Sequence, residues 1–339
     1  MAASFGWDLG GANLKLARAE KGRVVAVAQI PCPILPDRSK FDAAVEEALK
    51  LCGKRASHAV TMTGELSDVF ETRSEGVGYL VALMRKATGA KTLFYSISGE
   101  LIGADAATAR WQDVASANWH ASATLAASTC GDGLLVDVGT TTTDLIPLKD
   151  GKAAARGLAD GARLTEGELV YTGVVRTPVM AVAQAAPFKG RLQGVAAERF
   201  ATMADVYRLT GALPDDADPY PSADQRGKSA DESAARLARM LGRDADDADT
   251  IAWRALAHFF ARRQLSQIEE AARVLIEREG LAKDAPVIGA GCGRFLAAQL
   301  ARQIQQPYRD FAEIIDCAAD LREIVAVCAP AVALALLKK

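Results

Sequence analysis

Asp137-Val138-Gly139-Thr140-Thr141-Thr142-Thr143-Asp144 ends the apolar run Leu134-Leu135-Val136 by turning at a glycine into a row of hydroxyls. Near the N-terminus, Phe5-Gly6-Trp7 leads in the same way into Asp8-Leu9-Gly10-Gly11-Ala12-Asn13. Glycine lets backbone N–H groups crowd around an anion, hydroxyls add donors, and a leading carboxylate can hold a hydrated divalent cation against a phosphate. Each turn continues into a further strand-like run, at 14–19 and 144–148. The pair therefore reads as a duplicated β-hairpin clamp facing one polyphosphate from two sides. On this reading Asp8 and Asp137 hold Mg2+, while Gly10, Gly11, Asn13, Gly139, Thr140, Thr141 and Thr142 bind phosphate. The plainer alternative is that each aspartate caps its own turn.

With 339 residues the chain exceeds the roughly 250–300 at which a single core usually stops growing, so two lobes are expected. Half the residues are apolar and 24% are charged, as in ordinary globular proteins. The balance of 40 basic against 42 acidic residues, with no Lys/Arg-rich block, argues against a nucleic-acid partner. Six cysteines lie far apart without a C-x-x-C pair, which excludes a zinc knuckle or thioredoxin-like site and points to reduced thiols. The first residues carry neither the basic nor the apolar region of a leader, and no run approaches about 18 apolar residues. A cytoplasmic location without a membrane partner is expected; a homo-oligomer stays open.

Residues 1–150 alternate β-branched runs with amphipathic stretches. Strands are expected at 5–9, 14–19, 24–30, 59–62, 92–96 and 134–138, and helices at 41–51, 76–88 and 114–127. Glu20-Lys21-Gly22-Arg23 and Lys149-Asp150-Gly151-Lys152 read as hairpin turns. Residues 151–284 read as a mainly helical second lobe, with helices at 201–209, 232–241 and 250–279. The Pro/Asp/Gly-rich stretch 211–230 is either a solvated loop or a lid. Residues 285–339 return to α/β: a strand at 285–288, the turn Gly289-Ala290-Gly291-Cys292-Gly293, a helix at 294–305, a strand at 312–315 and a helix at 321–337. That turn opens a helix N-terminus, where oriented N–H groups favour an anion, so Gly289, Gly291 and Gly293 join the phosphate-binding set. A dinucleotide fingerprint would need glycine where Arg294 stands.

Aspartate-glycine hairpin, aspartate-glycine hairpin, then a late glycine-rich strand-to-helix turn resembles the acetate/sugar kinase, heat-shock chaperone and actin superfamily. In that superfamily these segments are two phosphate motifs and an adenosine motif. The resemblance implies a two-lobed α/β actin-like ATPase fold of ribonuclease H-like type. Within it, the two loops look like the hydantoinase/oxoprolinase branch, whose loops are written D-x-G-G-T and D-x-G-G-T-x-T-D. Met62-Thr63-Gly64-Glu65-Leu66-Ser67-Asp68, Ser116-Ala117-Asn118-Trp119-His120, Gly167-Glu168-Leu169-Val170-Tyr171-Thr172-Gly173 with Arg176-Thr177-Pro178, and residues 289–295 resemble more closely the short hydantoinase-like proteins of tetrahydromethanopterin-linked one-carbon metabolism. That family includes the ether-forming synthase of methanofuran (methylofuran) biosynthesis, which joins an aminomethylfuran diphosphate to the phenol of a γ-glutamyl-tyramine. Gly11-Ala12-Asn13 departs from the Gly-Thr of the larger hydantoinases, and Lys15, on the same strand face as Asn13, could supply a cation in place of that hydroxyl.

The resemblance implies small-molecule substrates carrying diphosphate, whose departure is helped by Mg2+, Lys15 and the loop donors. Glu65, Asp68 and Glu168 are candidates for accepting the phenol proton, Glu65 because it follows an apolar strand and a Thr63-Gly64 turn; a helix cap or surface acid is its plainer reading. Asp144 could orient a hydroxyl or water, and Arg176 a substrate carboxylate. Asn118 and His120 are placed at the substrate on resemblance alone, since a packing histidine is the ordinary outcome. His58, His258 and the aromatics Trp253, Phe259 and Phe260 read as structural. Two rival functions remain: an ATP-dependent kinase or hydantoinase-like ATPase built on the same loops, and a non-catalytic nucleotide-sensing scaffold.

Overall fold

Phe5, Trp7 and Leu9 alternate with Gly6 and Asp8, and this period of two drives the three large side chains into one fully buried cluster. The computed structural model describes residues 3–32, 37–52 and 56–337. Strand Ala3–Leu9 (β1) pairs antiparallel with Asn13–Glu20 (β2), and β2 with Arg23–Pro31 (β3). Ala56–Met62 (β4) runs parallel to β1, Leu93–Tyr95 (β5) parallel to β4, and Leu101–Gly103 (β6) antiparallel at the edge. The order is β3-β2-β1-β4-β5-β6. The β2–β3 turn places Lys21 and Gly22 at φ 52° and 83°, the left-handed pair that a tight hairpin needs.

The second sheet uses Gly133–Val138 (β7), Thr143–Lys149 (β8), Lys152–Ala153 (β9) and Leu169–Val170 (β10). After a separate hairpin, Ala185–Phe188 (β11) with Arg191–Gly194 (β12), it is completed by Val287–Ala290 (β13) and Tyr308–Asp310 (β14). Its order is β10-β8-β7-β13-β14, with β9 also on β8. Around β7, as around β1, a hairpin partner lies on one side and a strand from later in the chain on the other. A meander continued by crossover strands, present twice, is the topology of the actin-like ATPase fold.

The chain divides into two compact units, one of Met1–Leu135, Ile146–Thr165 and Arg309–Lys339, the other of Val136–Leu145 and Glu166–Tyr308. In the first, the helix Ala329–Leu336 lies so close on β1 that a Cβ at Gly6 would sit 2.0 Å from the Ala331 carbonyl oxygen. The second carries the helices Met203–Thr210, Ala230–Arg239, Thr250–Glu279 and Arg294–Ile304. Its 211–230 stretch is tied down by ion pairs: Asp218 to Arg208 (2.7 Å) and Lys228 (3.2 Å), and Asp224 to the buried Arg236 (3.0 Å). No helix among the described residues is long and apolar enough to cross a membrane.

Four local expectations are corrected. The stretch 114–127 is not one helix: Trp111–Val114 stops, Ser116 takes a left-handed φ of 51°, and a new helix runs Asn118–Cys130. The strand expected at 312–315 lies earlier, as β14, because Asp310 accepts from the Ala312 N–H and starts the 3₁₀ turn Phe311–Ile314. The helix expected at 321–337 is two, Arg322–Val327 and Ala329–Leu336, with Pro330 in the first turn of the second, where its missing N–H costs nothing. Gly289 and Ala290 belong to β13, so the turn proper is Gly291–Gly293.

Candidate active site

Asp8 occupies the C-terminal end of β1, where the parallel strands of such sheets expose their ligand-facing edge. Its cross-strand neighbours are Lys15 on β2 and Thr61 on β4, with Lys15 Nζ 3.8 Å from Asp8 Oδ2. The turn closes by the Gly10 N–H donating to the Asn13 carbonyl at 3.2 Å. A Cβ on Gly10 would lie 2.7 Å from that oxygen, so the approach requires glycine. Asn13 is buried, and its side-chain oxygen has no hydrogen-bond partner among the described residues. The Thr63 N–H donates to the Leu9 carbonyl, and Gly64 packs against Leu9 and Gly11, setting the β4 turn beside the first loop.

That turn carries Glu65 inward. Only 1% exposed, Glu65 accepts from the Ser116 hydroxyl at 2.9 Å through Oε1, which Arg73 Nη2 approaches at 3.3 Å. Arg73 Nη2 also donates to Ser116 Oγ at 2.9 Å and reaches Asp160 at 3.7 Å. The other carboxylate oxygen, Oε2, has no hydrogen-bond partner among the described residues. Burial pushes the Glu65 pKa up, against the downward pulls of the Ser116 hydroxyl and the Arg73 guanidinium. Ser116 reaches this position because Ala115 bridges Met62 at the end of β4 and because its own backbone is left-handed, a conformation costing about 1–3 kcal/mol in a non-glycine residue. Asp68, on the same turn, is exposed.

The helix that follows sorts the remaining candidates. Trp119 is buried, with the guanidinium of Arg163 4.2 Å from its ring centroid. His120 shares a hydrogen bond of 2.9 Å between Nδ1 and the Tyr95 hydroxyl, and burial holds its pKa down, favouring the neutral imidazole. Asn118 is half-buried at the helix start.

In the second unit the Asp137 loop repeats the first loop's turn: the Gly139 N–H donates to the Thr142 carbonyl at 2.8 Å. The carbonyls of Gly139 and Thr140 accept from the N–H groups of Val174, Val175 and Arg176. The late glycine turn lies directly on this loop. Gly291 has φ +82°, and a Cβ there would fall 2.4 Å from Asp137 Oδ1; the Gly293 N–H donates to the Val138 carbonyl at 2.8 Å. Gly289 instead makes room for the Tyr308 ring, and the Phe295 ring packs edge-on to Tyr207 at 5.1 Å. Asp144 lies in β8 opposite Leu169, and the fully buried Glu168 is engaged by Arg278 at 2.6 Å. Arg176 is exposed and its guanidinium makes no ion pair among the described residues.

Two of the three anticipated anion loops thus meet within the second unit, while Lys15, Asn13 and Glu65 gather at one edge of the first. Arg73, Ser116 and Asp160 were not anticipated as partners of Glu65. Among the described residues no group of three or more His, Cys, Asp or Glu could hold a metal.

Residues 56–338 match the hydantoinase/oxoprolinase family model. The chain belongs to the hydantoinase/oxoprolinase family. A relative from Methanocaldococcus jannaschii, the (4-{4-[2-(gamma-L-glutamylamino)ethyl]phenoxymethyl}furan-2-yl)methanamine synthase, is 32% identical over 242 residues, 71% of this chain and 72% of the relative. The protein of the same name from Methanococcus vannielii is 36% identical over 113 residues, 33% of this family member and 50% of the relative. The nucleotide-free structure of an acetone carboxylase, an enzyme of ATP-dependent acetone carboxylation, aligns with a TM-score of 0.60 at 9% identity, over 98% of this chain and 70% of that one. This last likeness concerns the fold alone.

Proposed function

We propose that this protein is a transferase of methanofuran-type (methylofuran) cofactor biosynthesis, joining an aminomethylfuran diphosphate to the phenol of a γ-glutamyl-tyramine-type substrate. The observation that carries the reading is the 32% identity, over 71% of this chain and 72% of the relative, to a synthase whose product name describes that phenoxymethylfuran ether. In the reaction the furfuryl C–O bond breaks and its electron pair leaves with diphosphate. The phenol oxygen forms the new C–O bond, and its proton passes to a base.

In the second unit, the amides and hydroxyls of Thr140, Thr141 and Thr142, in the loop that the Gly139 N–H closes and with the Gly291–Gly293 turn lying on Asp137, suit the charge that grows on a departing diphosphate. In the first unit, Glu65 is the candidate proton acceptor: burial strengthens it as a base, and one of its oxygens lacks a hydrogen-bond partner among the described residues. Lys15 beside Asp8 adds positive charge at the first loop. Arg176, exposed, suits a bidentate contact to the glutamyl carboxylate. Each unit offers one carboxylate at its loop, Asp8 in the first and Asp137 in the second, and either would serve as an oxygen ligand to Mg2+, which binds through few protein oxygens plus waters and substrate phosphate. When bound, the ion would neutralise phosphate charge.

The test is direct. Purified protein incubated with the furfuryl diphosphate and the glutamyl-tyramine should yield an ether of the summed mass less diphosphate, with equimolar diphosphate released. ATP-dependent phosphate release without ether formation would overturn the reading in favour of a kinase or hydantoinase-like ATPase.

A further inference from the structure

Gln264 sits midway along the helix Thr250–Glu279 and is fully buried. An amide in such a place is costly unless its donors and acceptor are met, and here they are. Its Nε2 donates to Thr172 Oγ1 at 2.7 Å and to the Gly173 carbonyl at 2.9 Å, and its Oε1 accepts from the Tyr207 hydroxyl at 2.5 Å. The groups so held belong to the strip 172–176 against which the second anion loop lies. A Cβ on Gly173 would come within 2.5 Å of Thr140 C and Thr141 N. The Thr172 carbonyl accepts from the Thr143 hydroxyl at 2.7 Å, and the Gly173 N–H donates to Thr177 Oγ1 at 2.8 Å. From the other end of the network, Tyr207 meets Phe295, one turn beyond the Gly291–Gly293 segment.

We propose that Gln264 is a positioning residue: through Thr172 and Gly173 it sets the backbone of the Gly139–Thr142 loop in the shape that binds diphosphate. The proposal rests on the anion-binding reading of that loop. Gln264 touches no substrate in this scheme. It acts because two hydrogen bonds from one buried amide fix the strip at Thr172 and Gly173 while the third ties that amide to Tyr207, and the strip supplies the N–H groups of Val174, Val175 and Arg176 that hold the loop carbonyls.

The experiment uses the full chain with inorganic diphosphate and Mg2+ as the probe. Gln264→Met keeps the side-chain volume and removes all three bonds. Calorimetry is expected to show diphosphate binding weakened by about tenfold or more, and amide hydrogen exchange should accelerate at 139–143 while β13 keeps its protection. Tyr207→Phe and Thr172→Val each remove one bond and should give smaller changes of the same kind. They carry the test if Gln264→Met does not fold. Wild-type affinity and wild-type exchange at 139–143 in folded Gln264→Met, or in both single-bond variants, would overturn the proposal. If the wild-type protein itself does not bind diphosphate, the transferase reading fails, and the exchange at 139–143 alone decides whether Gln264 holds the loop.

Discussion

Glu65 has a pKa raised by burial, and the sign of its effect on stability follows. The unfolded value is about 4.3, the folded value is higher, and so the fold favours the protonated form. The group costs nothing below the unfolded pKa, and its destabilising contribution grows as pH climbs from there to the folded pKa. Glu65→Gln should therefore be at least as stable as wild type at neutral pH, with the difference vanishing below about pH 4, while ether formation is lost. Denaturant titrations across that range, run beside the product assay, check both halves. Asp8→Asn and Asp137→Asn should each cost about 2–4 kcal/mol of transition-state stabilisation with little change in denaturation midpoint; wild-type turnover in both would remove these carboxylates from the mechanism. The strand-end turn that carries Glu65 was readable, because an apolar strand runs into Thr63-Gly64. Its partners were not: Arg73, Ser116 and Asp160 come from separate elements, and only the left-handed backbone at Ser116 turns that hydroxyl toward the carboxylate.

Among elements, the hairpins were the most readable, since Lys21-Gly22 and Asp150-Gly151 both supply the positive φ that the turns use. The helix at 114–127 was misread because apolar periodicity says nothing of a one-residue reversal. The strand expected at 312–315 falls on Ala312-Glu313-Ile314-Ile315, a short run that suits a 3₁₀ turn as well as a strand. At this scale Gly291→Ala is the sharpest probe. The new Cβ would meet Asp137 Oδ1 and the Val138 carbonyl, and the residue would have to hold φ +82°. Diphosphate binding should fall steeply while the first unit's secondary structure, followed by hydrogen exchange, is unchanged. Gly6→Ala should do the opposite kind of damage, destabilising the first unit on the order of 3 kcal/mol, because backbone atoms of the helix Ala329–Leu336 occupy the space.

For the whole molecule, a ligand that binds only the folded state raises its stability by mass action. Diphosphate with Mg2+ at about one hundred times its Kd should add about 2.7 kcal/mol, which for units of this size is about 5–10 °C in melting temperature. A comparable shift from ATP, with none from diphosphate, would turn the assignment toward a kinase. The superfamily fold was foreseeable because the loops that define it are short and continuous, whereas the division into units runs through β7 and β8 and leaves no composition boundary to read. The interleaving of segments bears on biosynthesis. On the ribosome, β1 and its Asp8 are made long before the helix that packs on them, which begins at Ala329. A nascent chain paused before Cys328 therefore holds β1 and the Gly10 turn without the helix that packs on them, open to chaperones and proteases until that helix emerges and covers the strand.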